Sequence, residues 1–170
     1  RLLADKGIFE FASAAKQLTK EFPSWRFIVA GDADYSNPSA LTYAEAEELV
    51  LESNIEWIGY VTDMPELLMR TSIVCLPSYR EGMPKVLLEA SAAGCTIVTT
   101  NVIGCNEAIL DKVSGELVPP MDGNALEACL RRLLDNSVQR RKYGTKARAT
   151  AVEEYSVDAV VEKTLSLYDI

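Results

Sequence analysis

At 170 residues the chain is long enough for one full hydrophobic core, and 48% hydrophobic against 25% charged residues marks a folded globular domain. Its net charge of −8 disfavours nucleic acid as a partner, because the phosphate backbone would be repelled. Histidine is absent, which removes the usual general base and the commonest transition-metal ligand, and so excludes a zinc hydrolase or Ser-His-Asp chemistry within these residues.

From the N-terminus, residues 5–21 place Ile8, Phe11, Ala12, Ala15 and Leu18 on one face at helical spacing, with Pro23 beyond the stop. Phe27 to Ala30 is a short apolar run closing on Gly31 and predicts a buried strand. Residues 32–40 form a polar loop rich in turn residues, followed by a helix over 43–53. A second strand spans Ile55 to Ile58 and ends at Gly59. Met64 to Met69 is a short helix, with Asp63 at its N-cap and Pro65 in its first turn.

Ile73 to Leu76 is a third strand, stopped by Pro77. Pro84 to Ala93 is a helix and Gly94 its C-terminal stop. Thr96 to Thr99 is a fourth strand, and a loop around Gly104 leads into a short helix ending near Leu110. Leu117-Val118 is a last short strand before helices over 123–135, 137–153 and 157–168. Apolar strands alternating with helices predict an α/β fold, a mainly parallel sheet covered on both faces. Such sheets bind ligands beyond the carboxyl ends of their strands, at a switch in strand order. Arg1-Leu2-Leu3 has no strand before it, so an opening strand is expected to precede it in a longer protein. Cys75, Cys95, Cys105 and Cys129 form no C-x-x-C pair and read as buried free thiols.

The segment Tyr79 to Glu89 (YREGMPKVLLE) carries the chemistry. Gly82 gives the ligand-facing turn room, and Pro84 suits the first turn of a helix because it lacks an N–H. The amides around Met83, Lys85 and Val86 then point out of a helix start whose partial positive charge favours phosphate, and Lys85 adds a full charge. There is no G-x-G-x-x-G and no G-x-x-x-x-G-K-S/T, so a dinucleotide fingerprint and a P-loop are both disfavoured. Glu81 precedes the helix and Glu89 lies inside it. Each carboxylate is able to accept sugar hydroxyls on either side of a diphosphate.

Glu81 to Glu89 resembles the E-x7-E motif of retaining glycosyltransferases with two Rossmann-like domains, often called family 4. Arg1 to Gly7 looks like the family's R-x4-K-G element, and Gly59 to Met64 like its G-x-V/I-x-D segment. Pro77-Ser78, Leu88 to Gly94 and Gly115 to Asp122 also fall in register. The resemblance implies a Rossmann-like three-layer sandwich, the C-terminal, donor-binding half of a GT-B fold, filling residues 1–170. By the same resemblance, Arg1 and Lys6 hold the donor diphosphate and stabilise the leaving group, and Glu81 contacts the transferred sugar. Val61 offers backbone groups to the base, Gly82, Met83, Pro84, Lys85 and Val86 line the diphosphate, and Glu89 binds ribose.

The implied reaction moves a sugar from a UDP- or GDP-sugar, UDP favoured, to a hydroxyl of a saccharide or lipid-linked saccharide. It keeps the anomeric configuration and needs no metal or other cofactor. The Y-R-E-G-M-P form looks like the subgroup that builds bacterial surface polysaccharides and lipid-linked oligosaccharides. The acceptor site is expected in an N-terminal domain of the same polypeptide, so these 170 residues alone are expected not to turn over. A cytoplasmic location is implied, with the longer protein at the inner face of the membrane. The alternative is a non-catalytic nucleotide-sugar-binding or scaffolding subunit of the same fold, against which Arg1, Lys6, Glu81 and Glu89 argue.

Overall fold

The computed structural model of the chain describes residues 2–34 and 36–168. A 3-10 turn, Ala4–Lys6, is followed by α1 (Ile8–Glu21), β1 (Ile28–Val29), α2 (Tyr43–Ser53), β2 (Glu56–Trp57), α3 (Met64–Met69) and β3 (Ile73–Leu76). Then come α4 (Lys85–Ala93), β4 (Thr96–Thr100), α5 (Cys105–Ala108), β5 (Gly115–Val118), α6 (Gly123–Asp135), α7 (Ser137–Tyr155) and α8 (Val157–Ser166). The expected alternation of strand and helix is present. No described helix is long and apolar enough to cross a membrane.

The helix expected over 5–21 begins only at Ile8. Gly7, at φ 72°, breaks the chain between the 3-10 turn and α1. A Cβ there would sit 2.1 Å from the carbonyl oxygen of Pro77, so only glycine lets the two segments meet. The helix expected from Pro84 begins at Lys85, with Pro84 as N-cap in extended conformation. Gly94 ends α4 at φ 77°, as expected from its position.

The parallel sheet expected as one unit is two: β1 pairs with β2, and β3, β4 and β5 pair in that order, every pair parallel. The division follows from hydrogen bonding, since no ladder joins β1 to β3. Three layers form nonetheless. Ile97 and Val98 are successive residues of β4, and their side chains point to opposite faces. Val98 enters a core with Ala12, Leu18, Phe27, Leu126, Leu133 and Tyr143, and Ile97 one with Leu68, Leu87, Ala90, Cys105 and Ile109. Helices α1 and α6 pack together on one side, and α4 packs on α3 and α7 on the other. Ile97 and Leu87 are wholly buried, each contributing about 1.5–3 kcal/mol by leaving water. Of the four free cysteines, Cys95, Cys105 and Cys129 are buried and Cys75 is half-buried.

Candidate donor site at the strand ends

The loop after β3 is fastened at several points to the segment before α1. The Tyr79 N–H donates to the Asp5 carbonyl at 2.8 Å, and the Ser78 hydroxyl donates to the same oxygen at 3.1 Å. The Thr100 hydroxyl, at the end of β4, donates to the Ser78 carbonyl. The Tyr79 hydroxyl donates to Glu10 Oε1 of α1 at 2.7 Å. Burial and then the Glu10 hydrogen bond push the Tyr79 phenol up to about 12, so it stays a donor across the physiological range.

These fastenings bring Lys6 to Glu81. The Lys6 ammonium donates to Glu81 Oε1 at 2.6 Å, with the two side chains 25% and 12% exposed. An ammonium has three donors and a carboxylate two acceptor oxygens, so this pair keeps capacity for a ligand. It faces a cleft of about 310 Å³ lined by Leu3, Asp5, Lys6, Asn37, Arg80, Glu81 and Gly82. A Cβ built on Gly82 would meet nothing within 4 Å, so the backbone is open on that side.

From Gly82 the chain runs through Met83 and Pro84 into α4. Pro84 provides no side-chain acceptor, so α4 starts without a side-chain cap, and its first amides remain available. Val86 lies half-buried in the first turn, and the exposed Lys85 reaches Glu89 at 3.2 Å, one turn on. An anion at this helix start would therefore find backbone donors, the Lys85 charge and Lys6 within one stretch of surface. Of the residues singled out from the sequence, Lys6, Glu81 and Gly82 share the cleft, whereas Met83, Pro84, Lys85, Val86 and Glu89 follow Gly82 in the chain and are not among the lining residues. Val61 lies past the end of β2 and does not line this cleft. Arg1 lies outside the described residues.

Sequence reasoning passed over one support and three lining residues. Gly104, at φ 83°, packs so tightly that a Cβ would lie 1.6 Å from the Gly82 carbonyl oxygen, so the loop after β4 buttresses the Glu81-Gly82 turn. Its only sequence signal was a glycine in a loop after a strand. Arg80, Asp5 and Asn37 also line the cleft. Beneath the site the Cys105 thiol is buried, and burial raises its pKa despite hydrogen bonding with Thr99 and Thr100. Among the described residues no cluster of three His, Cys, Asp or Glu side chains is placed to hold a metal ion.

A parallel α/β fold with charged side chains gathered beyond its strand ends belongs to the class of domains that bind ligands there. Residues 1–150 match the family described as Glycosyl transferases group 1, and the chain belongs to that family. An N,N'-diacetylbacillosaminyl-diphospho-undecaprenol alpha-1,3-N-acetylgalactosaminyltransferase of Campylobacter jejuni subsp. jejuni serotype O:2 is 31% identical over 169 residues, 99% of this chain and 43% of that protein. Anabaena HepE, solved in complex with UDP, matches at a TM-score of 0.86 over 100% of this chain and 47% of that one. At 20% identity that likeness shows the GT-B fold alone. The C-terminal domain of LpcC, a glycosyl transferase group 1 family protein from Francisella tularensis, matches at a TM-score of 0.81 and 27% identity over 92% of this chain and 83% of that one. The chain spans less than half the length of the curated relatives that match along its whole length.

Proposed function

We propose that these residues are the donor-binding half of a retaining glycosyltransferase that takes a hexose from a nucleoside-diphosphate sugar, UDP-linked in preference to GDP-linked. The observation that carries this reading is the Lys6–Glu81 pair held at the mouth of a cleft beside an uncapped helix start. In this reading Lys6 and Arg1 neutralise the charge that grows on the departing diphosphate, and the amides of α4 with Lys85 hold its oxygens. Glu81 contacts the sugar near the reacting carbon, Glu89 accepts ribose hydroxyls, and the backbone of Val61 meets the base. The solved complex of HepE with UDP supports the choice of nucleotide.

The bond from the anomeric carbon to the phosphate oxygen breaks, and a bond from that carbon to the acceptor oxygen forms on the same face. The acceptor proton passes to the departing phosphate, so no histidine and no metal is needed within this half. The acceptor is a saccharide or lipid-linked saccharide, in line with the diphospho-undecaprenol substrate in the Campylobacter relative's name. The acceptor site then belongs to an N-terminal domain, and the 170 residues alone bind nucleotide without turnover. Calorimetry with UDP, GDP and their glucose, galactose and N-acetylhexosamine conjugates tests the reading. UDP and at least one UDP-sugar should bind more tightly than the GDP series. A folded protein that binds none of them would overturn the site, and near-full transfer by these residues alone would overturn the division of labour.

A further inference from the structure

Two side chains near the start of α1 hold the loop that carries Glu81, and they differ in what a ligand can do to them. Lys6 is the first. Its ammonium meets Glu81 Oε1 at 2.6 Å on a flexible stem, and it lines the cleft. Glu10 is the second, and its Oε1 takes the Tyr79 hydroxyl at 2.7 Å. Tyr79 and Glu81 are thus both tied back to the segment 6–10, whereas Arg80 between them is exposed and lines the cleft.

Glu10 is a rigid post. It lies in the first turn of α1, and the start of α6 closes over it: a Cβ on Gly123 would lie 3.9 Å from Glu10 Cα and Cγ. Its other oxygen, Oε2, is buried and has no hydrogen-bond partner among the described residues. An acceptor buried without a donor lowers stability, and an apolar pair of the same shape would hold the loop to α1 without that cost. A polar pair kept in spite of it is expected beside a functional site, where one geometry matters more than the last increment of stability.

The donor-site reading gives Lys6 a second claim. A diphosphate at the start of α4 competes with Glu81 for the ammonium, because charge-assisted contacts to phosphate oxygens are strong. When Lys6 turns to phosphate, Glu81 loses the ion pair that locates it. Neither Glu10 nor Tyr79 lines the cleft, so a ligand there does not compete for their hydrogen bond.

We propose that Glu10 is a positioning residue for the transferred sugar: through Tyr79 it keeps the Glu81 carboxylate in place while Lys6 is engaged by the donor diphosphate. Glu10 does not touch the ligand. It acts through the Tyr79 ring and the Arg80 backbone that joins Tyr79 to Glu81. This role, which rests on the donor-site reading above, separates recognition of the sugar from recognition of the nucleotide.

Calorimetry with UDP, and with the UDP-sugar that wild type binds most tightly, gives two values for each variant. One is the affinity for UDP, and the other is the ratio of UDP-sugar to UDP affinity, which reports the sugar. Glu10→Gln keeps an acceptor for the Tyr79 hydroxyl and should retain the wild-type ratio. Glu10→Ala and Tyr79→Phe should leave UDP affinity within about 2-fold and lower the ratio about 3- to 10-fold, the worth of one hydrogen bond. The double variant Glu10→Met/Tyr79→Phe replaces the pair by apolar groups. It should melt no lower than wild type and still show the lowered ratio. A wild-type ratio in that double variant would make the pair structural and overturn the proposal, as would equal losses for UDP and UDP-sugar in the single variants. Wild type that binds no nucleotide would overturn the donor site and this role together. Wild type that binds both ligands, with every variant keeping the ratio, would overturn the role of Glu10 and leave the donor site standing.

Discussion

Glu81 and Glu116 are both carboxylates held by cations, and they differ in what each has left to offer. Glu81 is 12% exposed, has Lys6 as its ion-pair partner and faces a cleft. Glu116, on β5, is 6% exposed and accepts from four groups: Lys112, Arg132 at 2.6 Å, Cys129 Sγ at 3.2 Å and Tyr143 Oη at 3.3 Å. Burial alone would raise the Glu116 pKa, but the hydrogen bonds from Lys112 and Cys129 and the nearby cations outweigh it and hold the carboxyl below its usual range. One acid is saturated and ties β5 to α6 and α7. The other keeps spare acceptors at the strand ends. A buried charge serves stability when its lone pairs are all used, and serves a ligand when they are not.

The contrast is broken most severely by stripping Glu116 of its cations. The double variant Lys112→Ala/Arg132→Ala leaves a buried carboxylate without a counter-charge and should cost about 3–5 kcal/mol in urea denaturation at neutral pH. UDP affinity of the folded protein should be unchanged. The sign with pH follows from the lowered pKa: Glu116 contributes stability above the unfolded carboxylate value, and loses it as pH falls through the lower folded value. The gap between wild type and double variant should therefore narrow in acid. A gap constant from pH 7 to pH 3 would remove the electrostatic account.

Gly104→Ala comes next, because it touches both stability and site. A methyl group there collides with the Gly82 carbonyl and sits on a backbone at φ 83°. It should cost about 1–3 kcal/mol in stability and also weaken UDP binding, since the Glu81-Gly82 turn must move. Unchanged affinity in a destabilised variant would show that the turn's position does not matter.

Lys6→Ala acts on the site side of the comparison. Loss of a charge-assisted contact should weaken UDP binding by about 1.5–3 kcal/mol, roughly 10- to 150-fold by calorimetry. Its effect on unfolding should be smaller than that of the Glu116 double variant, because Lys6 and Glu81 both reach solvent. A large stability loss with intact binding would make this pair structural and erase the contrast.

Tyr79→Phe is the smallest perturbation. It removes the hydrogen bond to Glu10 and should cost about 0.5–1.5 kcal/mol. The Tyr79 pKa is raised to about 12, so its contribution is fully present below the unfolded tyrosine value and is lost as pH rises through about 12. A wild-type protein should therefore lose more stability than Tyr79→Phe on alkaline titration, and identical profiles would mean that the phenol is not held as described.

Much of this was legible from residue order alone, for local reasons. Helical spacing of Ile8, Ala12, Ala15 and Leu18, the Gly94 stop and the apolar runs at 73–76 and 96–99 are properties of neighbouring residues, and the elements formed there. The Glu81 to Glu89 segment was legible too, since a glycine, a proline and a helix start lie within one turn of chain. What periodicity could not report was contact across the sequence. Lys6 and Glu81 are 75 residues apart, and the packing of Gly7 on Pro77, together with the Tyr79 and Ser78 hydrogen bonds to Asp5, brings their charges to hydrogen-bond distance. Gly104 was an ordinary loop glycine until the Gly82 carbonyl was found against it. The division of the sheet was equally hidden, because strand propensity is local whereas strand pairing depends on which backbone edge finds a partner. The residue order thus determined where the strands and helices fall and where a glycine turn meets a helix start. The tertiary structure decided which carboxylate is saturated and which keeps spare acceptors, because that depends on how many donors converge from distant elements.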